Sequence, residues 1–244
     1  MGKETQKRQQ ARLNLIKLLW DKNGKRRLPG EKKLLKGIHS CDARDLWWVC
    51  EMNNISPLYL LPTKEWITFL SRFLRSLKIK KILEIGAGDG FLSECLAKKL
   101  PHIKIIATDN ASWKNPEARM NAEDRRLYKK IKITGLKPGS SVKKMSIRNA
   151  IKRYQPDLVM VSWAPPGGMV EQAIKSQVPF VLDISVDGNY CGNGYHTRRF
   201  MNEILDGPVE THALCRLDNR PEKKRHTRAI LYYGKKHPDF YEAK

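Results

Sequence analysis

Between Lys81 and Glu94 the chain reads KILEIGAGDGFLSE, and the residues there that bear on ligand chemistry are Glu84, Gly86, Gly88, Asp89 and Gly90. The apolar run before the glycines has strand composition, and FLSECLAKKL after them has helix composition. A glycine turn between strand and helix suits nucleotides, because glycine lets the backbone approach closely and the helix N-terminus offers free N–H groups. A dinucleotide fingerprint, GxGxxG, sets a pyrophosphate on that terminus. Here Phe91 occupies the third glycine position, and Glu84 and Asp89 would oppose a pyrophosphate electrostatically. No Gly-Lys-Ser/Thr follows, which excludes a Walker loop. The loop prefers a ligand that carries positive charge and lacks phosphate.

Asp109 follows Glu84 by 25 residues, at the end of the apolar run HIKIIATD. A carboxylate at a strand end can accept hydrogen bonds from both hydroxyls of a ribose, and charge-assisted bonds are the stronger ones. Asn110 and Trp113 follow closely enough to edge an adenine. Taken alone, Asp109 reads equally as a helix cap; paired with Glu84 it reads as a ligand residue. S-adenosylmethionine has the matching parts: an ammonium, a sulfonium, a ribose and an adenine.

Glu84-Ile85-Gly86-Ala87-Gly88-Asp89-Gly90 resembles the E/DxGxGxG first motif of class I S-adenosylmethionine-dependent methyltransferases. The resemblance covers roughly residues 80–233. It implies that Glu84 and the loop backbone at Gly86, Ala87, Gly88 and Gly90 hold the methionine end of the cofactor, and that Asp109 holds the ribose. Where many members carry an Asp and a small residue after the third strand, this chain has Ser146-Ile147, so Ser146 takes the place of the adenine contact. Ser162 ends the fourth strand, beside the cofactor. Ala164-Pro165-Pro166-Gly167 follows, without the polar first residue or aromatic last residue of amine-methylating members. The Lys-Asp-Lys-Glu set of ribose 2′-O-methyltransferases is not visible either. Trp163, Pro165 and Pro166 would form a stiff, flat-walled mouth for substrate, Trp163 either stacking a base or covering the sheet end. On the glycine-rich loop DGNYCGNGYHTRRF, Asp187, Tyr190 and His196 are the candidates for orienting or deprotonating a nucleophile. Cys191 is conceivable as a nucleophile but lacks the usual Pro-Cys context.

Short apolar strands alternating with helices beyond residue 80 signal an α/β fold with a parallel sheet. By family likeness it is Rossmann-like, with seven mostly parallel strands, one reversed near the end, and helices on both faces. HALCRLD and RAILYYG, flanking the charged tip NRPEKKRHT, look like an antiparallel hairpin. Residues 1–79 read as a basic helical N-terminal extension and 80–244 as the cofactor-binding domain. Amphipathic patterns predict helices from Gln6 to about Trp20, from Asp42 to Met52 and after Thr63 as N-cap, with DKNGKRRLPGEKK as a basic loop. A further helix is predicted around Ala118–Lys130.

The charge is large and uneven: 47 Lys+Arg face 25 Asp+Glu, a formal +22. Residues 1–40 hold 12 basic and 3 acidic side chains, and residues 115–155 hold the same numbers. Such fields attract a polyanion. With no DNA-reading module in sight, RNA is the expected partner. The expected activity is therefore methyl transfer to RNA. A small-molecule or protein methyltransferase, and a non-catalytic RNA-binding protein on the same fold, remain open beside it. The scattered Cys41, Cys50, Cys95, Cys191 and Cys215 show no metal spacing and suit a reducing compartment, with the cytoplasm as default and a nucleus or organelle matrix fitting as well. No run approaches the ~20 apolar residues of a membrane helix.

Overall fold

The structure, a computed structural model, describes residues 3–51, 58–110, 139–165, 167–186, 191, 197–205, 212–218 and 227–242. Trp113, the helix expected over Ala118–Lys130, Pro166, Asp187, Tyr190, His196 and residues 219–226 of the expected hairpin lie outside them.

The strands are β1 (Leu60–Leu61), β2 (Lys81–Ile85), β3 (Lys104–Asp109), β4 (Lys143–Lys144), β5 (Leu158–Ser162), β6 (Phe180–Val186), β7 (Asn202–Ile204), β8 (Leu214–Cys215) and β9 (Thr227–Tyr233). The helices are α1 (Lys3–Leu19), α2 (Glu31–His39), α3 (Ala43–Glu51), α4 (Lys64–Ser76), α5 (Phe91–Lys99), α6 (Ile147–Tyr154) and α7 (Met169–Ile174). Among the described residues, seven strands form one sheet in the order β4-β3-β2-β5-β6-β9-β7. Only β9 runs against its neighbours β6 and β7. Six parallel strands and one reversed strand make this the Rossmann-like fold that the glycine motif implied.

The central strands are apolar on both faces because both faces are covered. Ile82, Leu158, Met160 and Leu182 pack with Leu70 and Leu74 of α4 and Leu96 of α5. Leu83, Val159, Val161 and Val181 pack on the other side with Ile151 of α6 and Val170 and Ile174 of α7. Thr63 caps α4 as expected, accepting the Trp66 N–H at 3.1 Å. Through Trp66, Ile67, Leu70 and Leu74, α4 belongs to the core of the sheet. A third core joins α1, α2 and α3 around Leu15, Trp20, Leu34 and Leu46, and includes Leu61 and Leu214.

Two expectations change. HALCRLD and RAILYYG do not pair as a hairpin: β8 pairs with β1, Leu60 opposite Cys215, while β9 inserts between β6 and β7. The apolar side chains explain it, since Leu214 serves the N-terminal core and Cys215 packs with Val186 and Cys191. The strand beside β9 is β7, whose NEI has little strand signature. The basic loop is also shorter than expected. Gly30, extended at φ −73° and ψ 148°, caps α2, which buries Leu34, Gly37 and Ile38.

Candidate functional site

β2 and β3 are parallel neighbours, with Glu84 opposite Ala107 and Ile85 opposite Thr108. That register sets Glu84 and Asp109 at the same carboxyl edge, where open α/β sheets bind ligands. The loop between β2 and α5 is built by left-handed glycines: φ is 65° at Gly86, 57° at Gly88 and 76° at Gly90. A side chain is excluded at Gly90 twice over, because its Cβ would lie 2.6 Å from Val142 Cγ2. The Ala87 N–H donates to the Thr108 carbonyl at 3.0 Å, and the Gly88 N–H donates to Asp109 Oδ2 at 3.1 Å. The loop therefore orients the carboxylate that the sequence assigns to a ribose.

Glu84 is buried, and Ser93 Oγ donates to its Oε2 at 2.5 Å. Burial pushes its carboxyl up to about 7, with Asp89 and Asp109 adding to the rise and the Ser93 hydrogen bonds opposing it. A cation arriving beside Glu84 would reverse that balance and favour the carboxylate. Asp109 is buried as well, whereas Asn110 is exposed. Asp89 has a partner that sequence reasoning missed: Arg26 Nη1 donates to its Oδ2 at 3.0 Å, and the guanidinium lies 4.1 Å from the Phe91 ring centroid.

Ser146 is the N-cap of α6, accepting from the Asn149 N–H. It stands near Asp109 because Asp109 pairs with Lys144 and its carbonyl accepts the Met145 N–H at 2.8 Å. Asn110, Lys144, Ser146, Asn149, Lys152 and Arg153 line an open groove of about 800 Å³. The groove thus leads from the expected adenine edge to a row of cations.

Ser162 ends β5 opposite Ile184. Trp163 follows at φ 53°, a left-handed conformation unusual for a bulky residue, with its N–H donated to the Ile184 carbonyl at 2.8 Å. Its ring stacks on Tyr59 with centroids 6.0 Å apart and planes 15° apart. Arg216 covers both rings, 5.2 Å from the Tyr59 centroid and 6.0 Å from that of Trp163. The β1–β8 ladder makes this convergence possible: Tyr59 precedes β1, Arg216 follows β8, and the Arg216 N–H donates to the Tyr59 carbonyl at 3.2 Å. Pro165 is exposed, and Ala164 is buried beneath it. Neither Tyr59 nor Arg216 carried a sequence signal, since the pairing of β1 with β8 joins segments far apart in the chain.

Cys191 is buried and accepts the Val186 N–H at 3.2 Å. Burial raises its thiol to about 11, which keeps it protonated at neutral pH and unsuited to nucleophilic attack. Asp183, on β6, is another residue the sequence did not single out. It is buried, Ser185 Oγ donates to its Oδ2 at 3.0 Å, and its Oδ1 has no hydrogen-bond partner among the described residues. Burial raises its carboxyl to about 7, with the Ser185 hydrogen bond opposing. The cysteines are all free and buried. Among the described residues there is no metal-holding cluster, and no helix is long and apolar enough to cross a membrane.

No protein-family model matches the chain, and no curated protein does. Among solved structures, it is similar to the methyltransferase domain of bacterial CtHen1, at 13% identity over 70% of this chain and 98% of that one, with a TM-score of 0.42. It is also similar to the 23S rRNA methyltransferase ErmE, at 12% identity over 74% and 71% of the two chains, with a TM-score of 0.40. The plantazolicin methyltransferase BpumL in complex with SAH matches at 13% identity over 96% and 100%, with a TM-score of 0.39. These likenesses are distant, and the fold class rests on the strand order and the reversed β9.

Proposed function

We propose that the protein is an S-adenosylmethionine-dependent methyltransferase acting on RNA. The observation that carries the cofactor reading is the meeting of Glu84, Asp109 and a glycine loop with positive φ at one sheet edge, with the Gly88 N–H on the Asp109 carboxylate. These residues fit the cofactor: buried Glu84 matches an ammonium, Asp109 matches two ribose hydroxyls, and Asn110 and Ser146 border the adenine side. Within the loop itself no cation is placed for a phosphate, since its one charged side chain is Asp89, paired with Arg26. When bound, the cofactor supplies an activated methyl group on a sulfonium.

The chain's own task is then alignment, which can account for a large part of the rate. Glu84 and Asp109 fix the two ends of the donor. The Tyr59–Trp163–Arg216 stack stands at the end of β5, the strand beside β2, and offers a flat surface for an acceptor base. Arg216, Lys144, Lys152 and Arg153 supply positive charge on both sides of that edge, positioning a phosphate backbone without reading its sequence. Asp187, Tyr190 and His196 remain the candidates for proton transfer at the acceptor. The reducing compartment implied by free cysteines suits the cytoplasm.

Incubation with methyl-labelled S-adenosylmethionine and a panel of RNAs tests this function. Label in RNA is expected, with RNA affinity falling steeply as salt rises through counterion release. Label only in protein or small molecules would remove the RNA part, and absence of cofactor binding by calorimetry would favour the non-catalytic alternative.

A further inference from the structure

The turn joining α1 to α2 is closed on itself. One Asp21 carboxylate oxygen accepts the N–H groups of Asn23 at 2.8 Å and Lys25 at 2.9 Å. Gly24 takes φ 74°, and Trp20 forms a bridge to Arg26. The backbone is thus stiff where the Arg26 side chain leaves it. Lys22, Lys25 and Arg27 are exposed, whereas Arg26 turns inward, its side chain 15% exposed. It meets Asp89 and Phe91, the residues on either side of Gly90.

Asp89 distributes that contact through the glycine loop. Its Oδ1 accepts the N–H of Phe91, the first residue of α5, at 3.1 Å, and its carbonyl accepts the Gly139 N–H at 3.1 Å. Gly88, its other neighbour, donates to Asp109. One guanidinium thereby reaches the start of α5, the loop tip and, at one remove, the Asp109 carboxylate. Docking of the N-terminal helices does not depend on this contact, because Leu61 and Leu214 are already built into their core and Leu28 packs against the sheet's own core.

We propose that Arg26 is a positioning residue for the cofactor, through which the N-terminal segment holds the Asp89–Phe91 tip of the glycine loop in its ligand-ready shape. The proposal rests on the reading of that loop as the S-adenosylmethionine site. It makes residues 20–30 part of the cofactor apparatus, although they lie outside the methyltransferase resemblance.

The test uses the full-length chain, S-adenosylhomocysteine as the probe, and the variants Arg26→Gln, Arg26→Lys, Asp89→Asn and the Gln/Asn double variant. Arg26→Gln should weaken binding roughly tenfold by calorimetry, a usual size for coupling between neighbouring elements. Arg26→Lys should recover part of the loss, because it keeps the charge but not the flat stack on Phe91. The double variant should bind no worse than the weaker single one, since both remove the same contact. Amide hydrogen exchange on the ligand-free proteins should quicken over residues 86–91 in the single variants while α1 and α3 stay protected. Unchanged affinity, additive losses, or unchanged exchange over the loop would each overturn the proposal. If Arg26→Gln does not fold, Arg26→Lys and Asp89→Asn decide the matter. Should the unaltered protein not bind S-adenosylhomocysteine, the cofactor reading fails, whereas exchange over the loop still decides whether Arg26 holds it.

Discussion

The two walls of the site are assembled in different ways. The proposed cofactor wall, Glu84 to Asp109, is one continuous strand–loop–helix–strand unit whose geometry follows from the register of β2 and β3. The proposed acceptor wall takes Tyr59, Trp163 and Arg216 from three distant segments, brought together by the pairing of β1 with β8. The first wall is set by local backbone chemistry and the second by tertiary docking. Damage to one should therefore leave the other largely intact.

The sharpest break is expected at Asp109. Asp109→Asn keeps an oxygen for the Gly88 N–H but loses the charge-assisted bonds to a ribose. S-adenosylhomocysteine affinity should fall by roughly a hundredfold, at the lower end for two such bonds at ~1.5–3 kcal/mol each. RNA affinity, measured in parallel, should hold. Equal losses in both would mean that the walls are not separate.

Gly90→Ala should act on the fold of the cofactor wall. A left-handed alanine costs about 1–2 kcal/mol, and the 2.6 Å approach to Val142 Cγ2 adds crowding. A loss of roughly 2 kcal/mol in urea unfolding is expected. A denaturation midpoint equal to that of the unaltered protein would contradict the loop geometry.

On the acceptor wall, Tyr59→Ala should weaken RNA binding about tenfold, since stacking on an aromatic contributes ~1–3 kcal/mol per base. The slope of affinity against salt should stay the same, because no phosphate contact is removed. Cofactor affinity should not change. Unchanged RNA affinity would assign Tyr59 to packing alone, and a lower slope would mean that a phosphate contact had been lost with the ring.

The same contrast explains what the sequence disclosed. The meeting of Glu84, the glycines and Asp109 at one sheet edge was legible because their placement depends on order along one short segment. The parallel strands were legible because runs such as DLVMVS and FVLDISV are buried on both faces. Arg26, Tyr59 and Arg216 were not, since each gains its meaning from a contact across the chain. The expected hairpin failed for a related reason: apolar Leu214 and Cys215 mark a buried strand but do not say which partner buries it. Trp163 was legible as the residue after a strand end, but its left-handed backbone and its stack on Tyr59 were not.

A smaller effect, set by pH, separates Glu84 from the other carboxyl that burial raises to about 7 among the described residues, Asp183. Both carboxyls sit at about 7 in the folded chain, against ordinary values of 4.5 and 3.8, and burial is the main cause for each. The folded protein therefore holds these protons to higher pH than the unfolded chain does. Their contribution to stability is complete below the unfolded values and is lost as pH rises through about 7. The ligand-free protein should accordingly become less stable to heat from about pH 4 to about pH 8, and Glu84→Gln and Asp183→Asn should each flatten part of that slope. Only Glu84 faces the proposed ammonium. S-adenosylhomocysteine should therefore bind more tightly as pH rises through about 7, releasing a proton that calorimetry detects in buffers of different ionisation heat. Asp183→Asn should leave that proton release intact and Glu84→Gln should abolish it. Proton release that survives Glu84→Gln would place the ligand's cation away from Glu84, and the cofactor wall would have to be redrawn around Asp109 alone.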